Sequence, residues 1–335
     1  MNIIIESNIP YIRGVFEDAG CRVSYLTPQE ITAEAMRDTD VLVTRTRVRC
    51  DERLLDGSRC RMIASATIGL DHVDLPWCAA HGIEVRNAPG CNAPAVAQYV
   101  LASLMSIHGS DLSGMRLGIV GVGNVGRIVS RWAEGLGIEV LACDPPRADA
   151  EGAEGFHTLQ QLARQADAIT FHTPLTRGGL YPTAHLADAA FFASLERRPT
   201  VINSARGAVV DNKALVAALA SGKAGHAVID CWENEPAISR ELLRDAFIAT
   251  PHIAGYSRQG KIRATAMAVE AVGRRFGLKP GPLGAEVPPA APEIVDAQSI
   301  LSTYDPLADT AALRANPELF EDLRNHYALR EEPTL

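Results

Sequence analysis

Three polar side chains of this 335-residue sequence are of the types that proton transfer on an anionic substrate requires, and each follows a short apolar run. Arg206 offers a planar fork that matches a carboxylate, and His252 titrates near neutral pH. Glu235 lies between them, and a carboxylate beside a histidine stabilises the imidazolium and raises its pKa. Oxidation of a 2-hydroxy acid needs these three roles. Glu233 is an alternative partner for His252, and the spacing alone does not choose between the two acids.

A glycine-rich turn upstream predicts a dinucleotide-binding loop. Gly121, Gly123 and Gly126 follow an apolar run and precede a helical pattern. The first glycine permits a tight turn, the second lets the backbone approach a diphosphate, and the third lets helix and strand pack closely. Asp144 follows roughly 20 residues later, where an acid takes the ribose hydroxyls and disfavours a 2′-phosphate. NAD is therefore the predicted cofactor, although Arg147 leaves NADP open.

A series of arginines predicts a second anion site. Arg45, Arg47 and Arg49 occupy every second position beyond the apolar run at 41–43. If the segment is extended, their guanidinium groups lie on one side and threonine hydroxyls on the other. Converging arginines suit a phosphate dianion, with Arg45 as the candidate ligand. The alternative is a charged edge that keeps a sheet soluble, and these residues alone do not decide.

Strands that alternate with helices must position these side chains. A first series of strands is predicted at 3–5, 23–25, 41–43, 62–64 and 83–85, and a second at 117–120, 139–142, 168–171, 200–202, 226–229 and 247–249. Long helices are predicted over 93–107 and 258–276. This alternation predicts an α/β fold of two doubly wound parallel-sheet domains, with ligands at the carboxyl ends of the strands.

The domain organisation follows from the same pattern. A cofactor domain over 95–256 is predicted to be inserted into a substrate domain made of 1–94 and 257–278. Proline and glycine accumulate over 279–293, which predicts a linker. The remaining segment, 294–335, could hold one or two amphipathic helices but is too short for a core of its own.

Composition excludes several classes of protein. The net charge of −8 disfavours partners such as nucleic acid and anionic membranes. The seven cysteines are scattered and never spaced as a CxxC pair, which argues against a disulfide framework or a metal site. No apolar run approaches the length of a membrane span, and the amino terminus lacks the pattern of a signal peptide. A small-molecule or protein partner is therefore favoured, and the cysteines are expected to be reduced thiols in a cytoplasm.

The sequence resembles the D-isomer-specific 2-hydroxyacid dehydrogenase family. The resemblance is carried by the glycine pattern and Asp144, then by Arg206 before a glycine, Glu235 before a proline, and His252 before an isoleucine. It implies a Rossmann NAD domain inserted into a flavodoxin-like substrate domain. It also implies that Arg206 binds the substrate carboxylate and carbonyl, that Glu235 pairs with the histidine, and that His252 donates or accepts the proton. Because the family's acid directly precedes proline, the resemblance favours Glu235 over Glu233.

The same resemblance implies a set of cofactor contacts in the glycine loop and after the strands. They are Gly121, Gly123, Asn124, Val125, Gly126, Asp144, Thr173, Ala205, Asp230 and Gly255.

Five segments resemble more closely the branch of the family that oxidises a small phosphorylated hydroxy acid. They are 88–93, 143–149, 171–176, 206–212 and 252–256. This resemblance implies substrate contacts at Thr46, Thr67 and Tyr256. It also implies a homodimer, although the 294–335 segment is shorter than the dimerisation domain usual in that branch.

Two alternatives remain open. A dehydrogenase of the 3-phosphoglycerate or hydroxypyruvate type would share the catalytic residues and differ only in the loops near 45–49, 67 and 256. An NAD-sensing regulator could keep the same fold without turnover, but the intact Arg206, Glu235 and His252 disfavour that function.

Overall fold

The computed structural model describes residues 1–334 and divides the chain into two compact units. The first comprises Met1–Asn92 and Arg258–Ala290, and the second comprises Ala93–Ser257 with the chain from Ala291 onward. Within the described residues, no helix combines the length and apolar character needed to cross a membrane. All seven cysteines are free thiols.

The first unit is built on a five-stranded parallel sheet. Its strands are β1 (Asn2–Glu6), β2 (Arg22–Leu26), β3 (Val41–Thr44), β4 (Met62–Ser65) and β5 (Glu84–Arg86). They lie in the order β2-β1-β3-β4-β5. Every residue of β3 and β4 is buried, as expected for strands that helices cover on both faces.

Four helices belong to this unit. They are Ala33–Met36, Glu52–Leu55, Leu75–Ala80 and Arg258–Phe276. The last confirms the helix predicted over 258–276. It buries Ala268 and Val272 in the same core as Ile3 and Val41, because its apolar residues recur about once per turn.

The second unit contains a six-stranded parallel sheet. Its strands are β6 (Arg116–Val120), β7 (Glu139–Cys143), β8 (Ala168–Phe171), β9 (Thr200–Asn203), β10 (His226–Ile229) and β11 (Ile248–Ala249). Their order is β11-β10-β9-β8-β6-β7. The chain reverses its direction of winding between β6 and β8, which places a ligand crevice beyond the carboxyl ends of those strands. The predicted fold class of two doubly wound parallel sheets is confirmed.

Helices flank this sheet. They are Ala93–His108, Asn124–Gly135, Pro145–Glu151, Leu159–Gln165, Ala189–Ala193, Asn212–Ala220 and Arg240–Asp245. The first matches the helix predicted over 93–107. Its residues from Ala93 to Met105 are all buried, since apolar residues occur on every side of it.

The carboxyl-terminal segment differs from the sequence prediction of one or two helices. It forms three short helices, Ala297–Thr303, Pro306–Ala315 and Phe320–Asn325. Although too short for a core of its own, the segment completes that of the second unit. Val295, Ile300, Tyr304, Leu313 and Phe320 are buried there. The division between the units falls at residue 290, inside the stretch predicted as a linker.

Arg330 ties this segment to the rest of the second unit. Its guanidinium is buried and donates to Gln98 Oε1 at 2.9 Å and to the carbonyls of Ala95, Ile253, Ala254 and Tyr256. A buried guanidinium is stable only when its N–H groups are satisfied in this way. The tail therefore braces the loop that follows β11.

Candidate active site

The glycine loop after β6 has the geometry of a diphosphate cradle. Gly121 has a φ of +90°, which favours glycine. A Cβ on Gly126 would lie 2.1 Å from the Gly121 carbonyl oxygen, so the helix Asn124–Gly135 can begin there only if residue 126 is a glycine. Gly123 faces open space, which a ligand can approach. The residues present thus fit a dinucleotide at the amino end of this helix.

Asp144 lies at the end of β7, beside the loop. Its carboxylate accepts the Val122 amide at 2.8 Å and the Arg147 amide at 3.2 Å. The Arg147 side chain donates to the Val122 carbonyl and forms an ion pair with Glu151 at 2.6 Å. Arg147 is therefore already paired, which weakens the case for it as a ligand of a 2′-phosphate.

The other predicted cofactor residues lie in the same unit. Thr173 follows β8, and its Oγ1 is buried with no hydrogen-bond partner among the described residues. Buried hydroxyls are normally paired, so this one fits a site that a ligand completes. Asn124 and Val125 begin the helix after the glycine loop, and Gly255 lies in the turn after His252.

Arg206 lies in the loop after β9, and its neighbours fix that loop. Asn203 is fully buried, and its side-chain amide donates to the carbonyls of Arg206, Gly207 and Cys231. A Cβ on Gly207 would lie 1.8 Å from the Trp232 carbonyl oxygen. The backbones of the loops after β9 and β10 therefore stack directly on each other. Ala205, predicted to contact the cofactor, accepts from Arg206 Nη1 at 2.8 Å through its carbonyl.

His252 and Glu235 form a hydrogen-bonded pair. His252 Nδ1 lies 2.8 Å from Glu235 Oε2 and 3.1 Å from Oε1. Burial alone would raise the pKa of Glu235, but the hydrogen bond and charge of His252, the Trp232 amide and Arg324 together hold it below its ordinary value. An ionised carboxylate only accepts, so Nδ1 carries a proton. The opposite ring nitrogen, Nε2, is then the one that exchanges a proton with a substrate.

Asp230 holds the His252 turn in place. His252 has a φ of +58°, a conformation that costs energy for a residue with a side chain. The two Asp230 oxygens accept the amides of Ile253 at 2.7 Å and Ala254 at 2.9 Å, and one also accepts from Thr250 Oγ1. Burial raises the pKa of Asp230, although these hydrogen bonds oppose the rise. Its predicted cofactor contact stays a prediction.

Glu233 has other partners. It accepts the Asn212 amide at 2.9 Å and lies 2.7 Å from His185 Nε2. Geometry therefore separates the two acids that sequence spacing left equal, and Glu235 is the one beside His252.

Cys231 adds a third potential metal ligand to the pair. Its Sγ and the ligand atoms of Glu235 and His252 lie within 4.8 Å of one another. Burial raises the pKa of the Cys231 thiol well above its ordinary value, and Sγ donates to the Ala205 carbonyl at 3.4 Å. Because Glu235 and His252 are already bonded to each other, the cluster fits an acid–base pair better than a metal centre.

The arginine series in the first unit is not extended, so the condition under which its guanidinium groups would lie on one side is not met. β3 ends at Thr44, and residues 46–48 form bends. Glu6 accepts both the Arg45 amide at 2.7 Å and Thr44 Oγ1 at 2.9 Å, and Arg49 pairs with Asp51. The three guanidinium groups therefore do not form a regular row. Arg45 Nε is buried with no hydrogen-bond partner among the described residues.

The predicted substrate contacts are divided between the two units. Thr46 is exposed just after β3, and Thr67 follows β4 with its hydroxyl 2.8 Å from Ser65 Oγ. Tyr256 belongs to the second unit, in the turn that follows His252, and its ring packs edge-on against Tyr327 at 6.1 Å. Each of these residues follows the carboxyl end of a strand in its own unit.

These geometries and the sequence define the class of the protein. The model of the D-isomer specific 2-hydroxyacid dehydrogenase NAD-binding domain matches residues 91–254. The chain belongs to this family, and its second unit contains an NAD-binding domain.

Individual relatives are more specific. The erythronate-4-phosphate dehydrogenase of Bacteroides thetaiotaomicron is 44% identical over 99% of this chain and 97% of its own. The Escherichia coli (strain UTI89) enzyme of the same name is 40% identical over 99% of this chain and 92% of its own. Among solved structures, the Thermus thermophilus TT0316 protein has a TM-score of 0.70 and 26% identity, covering 85% of this chain and all of its own. The Aquifex aeolicus D-lactate dehydrogenase complexed with NAD and lactic acid has a TM-score of 0.68 and 22% identity, covering 82% of this chain and 96% of its own. This likeness shows that the two chains share a fold.

Sequence reasoning missed the residues that support the site. Asn203 and Arg330 make their bonds to backbone carbonyls, and Arg324 lies beside Glu235. For Asn203, its place at the end of a strand directly before the Arg206 loop was an available signal. No local pattern marks Arg324 or Arg330, since their partners lie far away in sequence.

Proposed function

We propose that the chain oxidises 4-phospho-D-erythronate at C2 to 2-oxo-3-hydroxy-4-phosphobutanoate with NAD, a step of pyridoxal 5′-phosphate (vitamin B6) biosynthesis. The observation that carries the chemistry is the His252–Glu235 pair, 2.8 Å apart, on the strand-end loops of an NAD-binding domain. The observation that favours the substrate is the similarity to erythronate-4-phosphate dehydrogenases, which are 40% and 44% identical over 99% of this chain.

Three residues of the protein carry out substrate binding and proton transfer. Arg206 binds the substrate carboxylate through its guanidinium fork and orients C2. His252 Nε2 accepts the proton of the C2 hydroxyl, and the Glu235 carboxylate stabilises the imidazolium that forms. NAD, when bound, accepts the hydride. The arrangement also serves the reverse direction, in which the imidazolium returns the proton.

The phosphate end of the substrate is assigned to Arg45, with Thr46, Thr67 and Tyr256 as further contacts. Arg45 supports this assignment because its Nε is buried without a hydrogen-bond partner in the described chain, while Nη1 makes only a 3.5 Å contact to the Asn8 carbonyl. A guanidinium with unused donors is suited to a phosphate dianion.

A cytoplasmic homodimer is part of the same proposal. The carboxyl-terminal segment exposes apolar side chains that a second subunit could cover. They are Leu301, Leu307 and Leu319.

A substrate panel tests the activity. Full-length protein with NAD is given 4-phospho-D-erythronate, 3-phosphoglycerate or glycerate, and the nicotinamide absorbance is followed. We expect kcat/KM for 4-phospho-D-erythronate to exceed the values for the other two acids by at least about 100-fold. A site built for a phosphorylated four-carbon acid leaves some of its own polar groups without a partner when a smaller acid binds. Turnover of only the last two would replace the substrate, and NAD binding without any turnover would support a regulator.

Replacing Arg45 tests the phosphate contact. We expect Arg45→Ala to raise KM for 4-phospho-D-erythronate by roughly 10- to 100-fold, the loss of charge-assisted hydrogen bonds, while KM for unphosphorylated D-erythronate stays within about two-fold. Arg59→Ala is the matched control, since Arg59 is exposed and pairs with Asp40 at 3.7 Å. Equal effects of Arg45→Ala on both acids would refute the contact.

A further inference from the structure

A third charged group reaches the His252–Glu235 pair from the carboxyl-terminal segment. Arg324 Nη1 lies 3.8 Å from Glu235 Oε2. The two side chains are only 16% and 18% exposed, so water screens their attraction weakly. Neither the glycine loop nor the catalytic strand ends supply this arginine, which follows His252, the last of the catalytic residues, by 72 residues.

The surroundings of Arg324 hold it toward the pair. It lies on the helix Phe320–Asn325, which the fully buried Phe320 anchors in the core. It also forms a 3.7 Å ion pair with Glu321 on the same helix, and its side chain is hydrogen-bonded with that of Tyr256. Its Nε is buried with no hydrogen-bond partner among residues 1–334. A largely shielded Nε without a hydrogen-bond partner is costly, which is typical of a group kept for function.

We propose that Arg324 is a positioning residue that keeps Glu235 an ionised carboxylate aimed at His252 Nδ1. The inference rests on the proposed dehydrogenase function, and it assigns to the carboxyl-terminal segment a part in the chemistry of the second unit. Arg324 touches neither reacting atom in this account and acts only through Glu235.

The need for such a cation follows from the proton cycle. His252 is neutral before it takes the substrate proton and an imidazolium afterwards. When it is neutral, Glu235, whose side chain is 18% exposed, accepts from the Trp232 amide at 2.8 Å and from Nδ1–H. A nearby fixed cation then prevents the carboxylate from taking a proton of its own, so that Nδ1–H remains the donor and Nε2 keeps its lone pair.

Other charged and titratable groups surround these side chains. Asp230 interacts with His252, Cys231 with Glu235, Arg206 with Cys231, and Tyr256 and Glu321 with Arg324 itself. Removing the Arg324 charge takes away one of the groups that hold the pKa of Glu235 below its ordinary value, so that pKa should rise. Oxidation requires ionised Glu235, and the acid limb of its pH profile should therefore move to higher pH.

The experiment compares wild type, Arg324→Met and Arg324→Lys as full-length proteins. The Glu235 carboxyl is titrated by NMR on ¹³C-glutamate-labelled protein, with Glu235→Gln to assign its signal, and kcat/KM is measured against pH. We expect Arg324→Met to raise the pKa of Glu235 and the acid limb together, by about 0.5 to 1 unit. The lysine variant should restore most of both. Arg244→Met is the control, because Arg244 is exposed and pairs with Asp245.

Each result decides the matter. If Arg324→Met folds and leaves both titrations at their wild-type positions, the inference is wrong, whatever happens to kcat. If Arg324→Met does not fold, Arg324→Gln keeps a polar side chain without the charge and is held to the same expectation. A protein that oxidises no tested acid refutes the proposed function, while the NMR titration still tests Arg324.

Discussion

His252→Asn is expected to lower kcat for 4-phospho-D-erythronate by about 10²- to 10⁴-fold, the range for a lost general base. The amide keeps a polar group near Glu235 but cannot take up the hydroxyl proton. KM should change by less than about three-fold, because Arg206 and the phosphate contacts bind the ground state. Steady-state kinetics, with NAD binding measured separately, checks both parts.

The chain contains a matched pair for this experiment. His185 and Glu233 lie 2.7 Å apart in the same unit, as close as His252 and Glu235, but His185 is on the segment between β8 and the helix Ala189–Ala193. His185→Asn removes a comparable histidine–carboxylate contact without touching the proposed base. It should retain activity within a few-fold. Comparable losses in the two variants would show that His252 acts through structure rather than through proton transfer.

Gly207→Ala is expected to have the largest effect on stability. The new Cβ would lie 1.8 Å from the Trp232 carbonyl oxygen and 2.5 Å from the Glu233 amide nitrogen, both backbone atoms that cannot rotate away. We expect a loss of at least about 3 kcal/mol in the free energy of unfolding, which lowers the thermal midpoint by roughly 6–12 °C in a unit of this size. Scanning calorimetry measures it. Activity should fall as well, because Arg206 and Glu235 belong to the loops that are pushed apart.

Gly178→Ala provides the contrast. A Cβ at Gly178 meets nothing within 4 Å, and the backbone there is not in the left-handed region. Its thermal midpoint should stay within about 2 °C of wild type, since an exposed substitution without new contacts costs little. A wild-type midpoint for Gly207→Ala would mean that the two loops do not stack as described.

Features encoded locally could be predicted from the sequence. Runs of valine and isoleucine marked the strands, and the spacing of Gly121, Gly123 and Gly126 marked the turn after β6. Arg206 and His252 could be found because parallel strands end at a common edge, and polar residues just after them face the ligand crevice. These signals lie within a few residues of the groups they describe.

Features that depend on residues far away in the sequence could not be predicted. The bend after Thr44 depends on Glu6, nearly 40 residues earlier, which captures the Arg45 amide. Glu233 and Glu235 are equivalent by spacing, and only the Asn212 amide and His185 show which acid is already engaged. The carboxyl-terminal helices are short and weakly patterned. Their place in the core of the second unit follows from packing that no local period reveals.

The interleaving of the two units has a consequence for synthesis of the chain. The first unit lacks the helix Arg258–Phe276 until its residues are translated, and the second lacks Phe320 and Arg330 for longer still. Domains usually fold in the order in which they emerge from the ribosome. Here part of the apolar surface of the first unit's sheet stays uncovered while the second unit is being synthesised. The nascent chain is thus exposed to aggregation over most of its length, and chaperones that shield apolar surface should improve its yield.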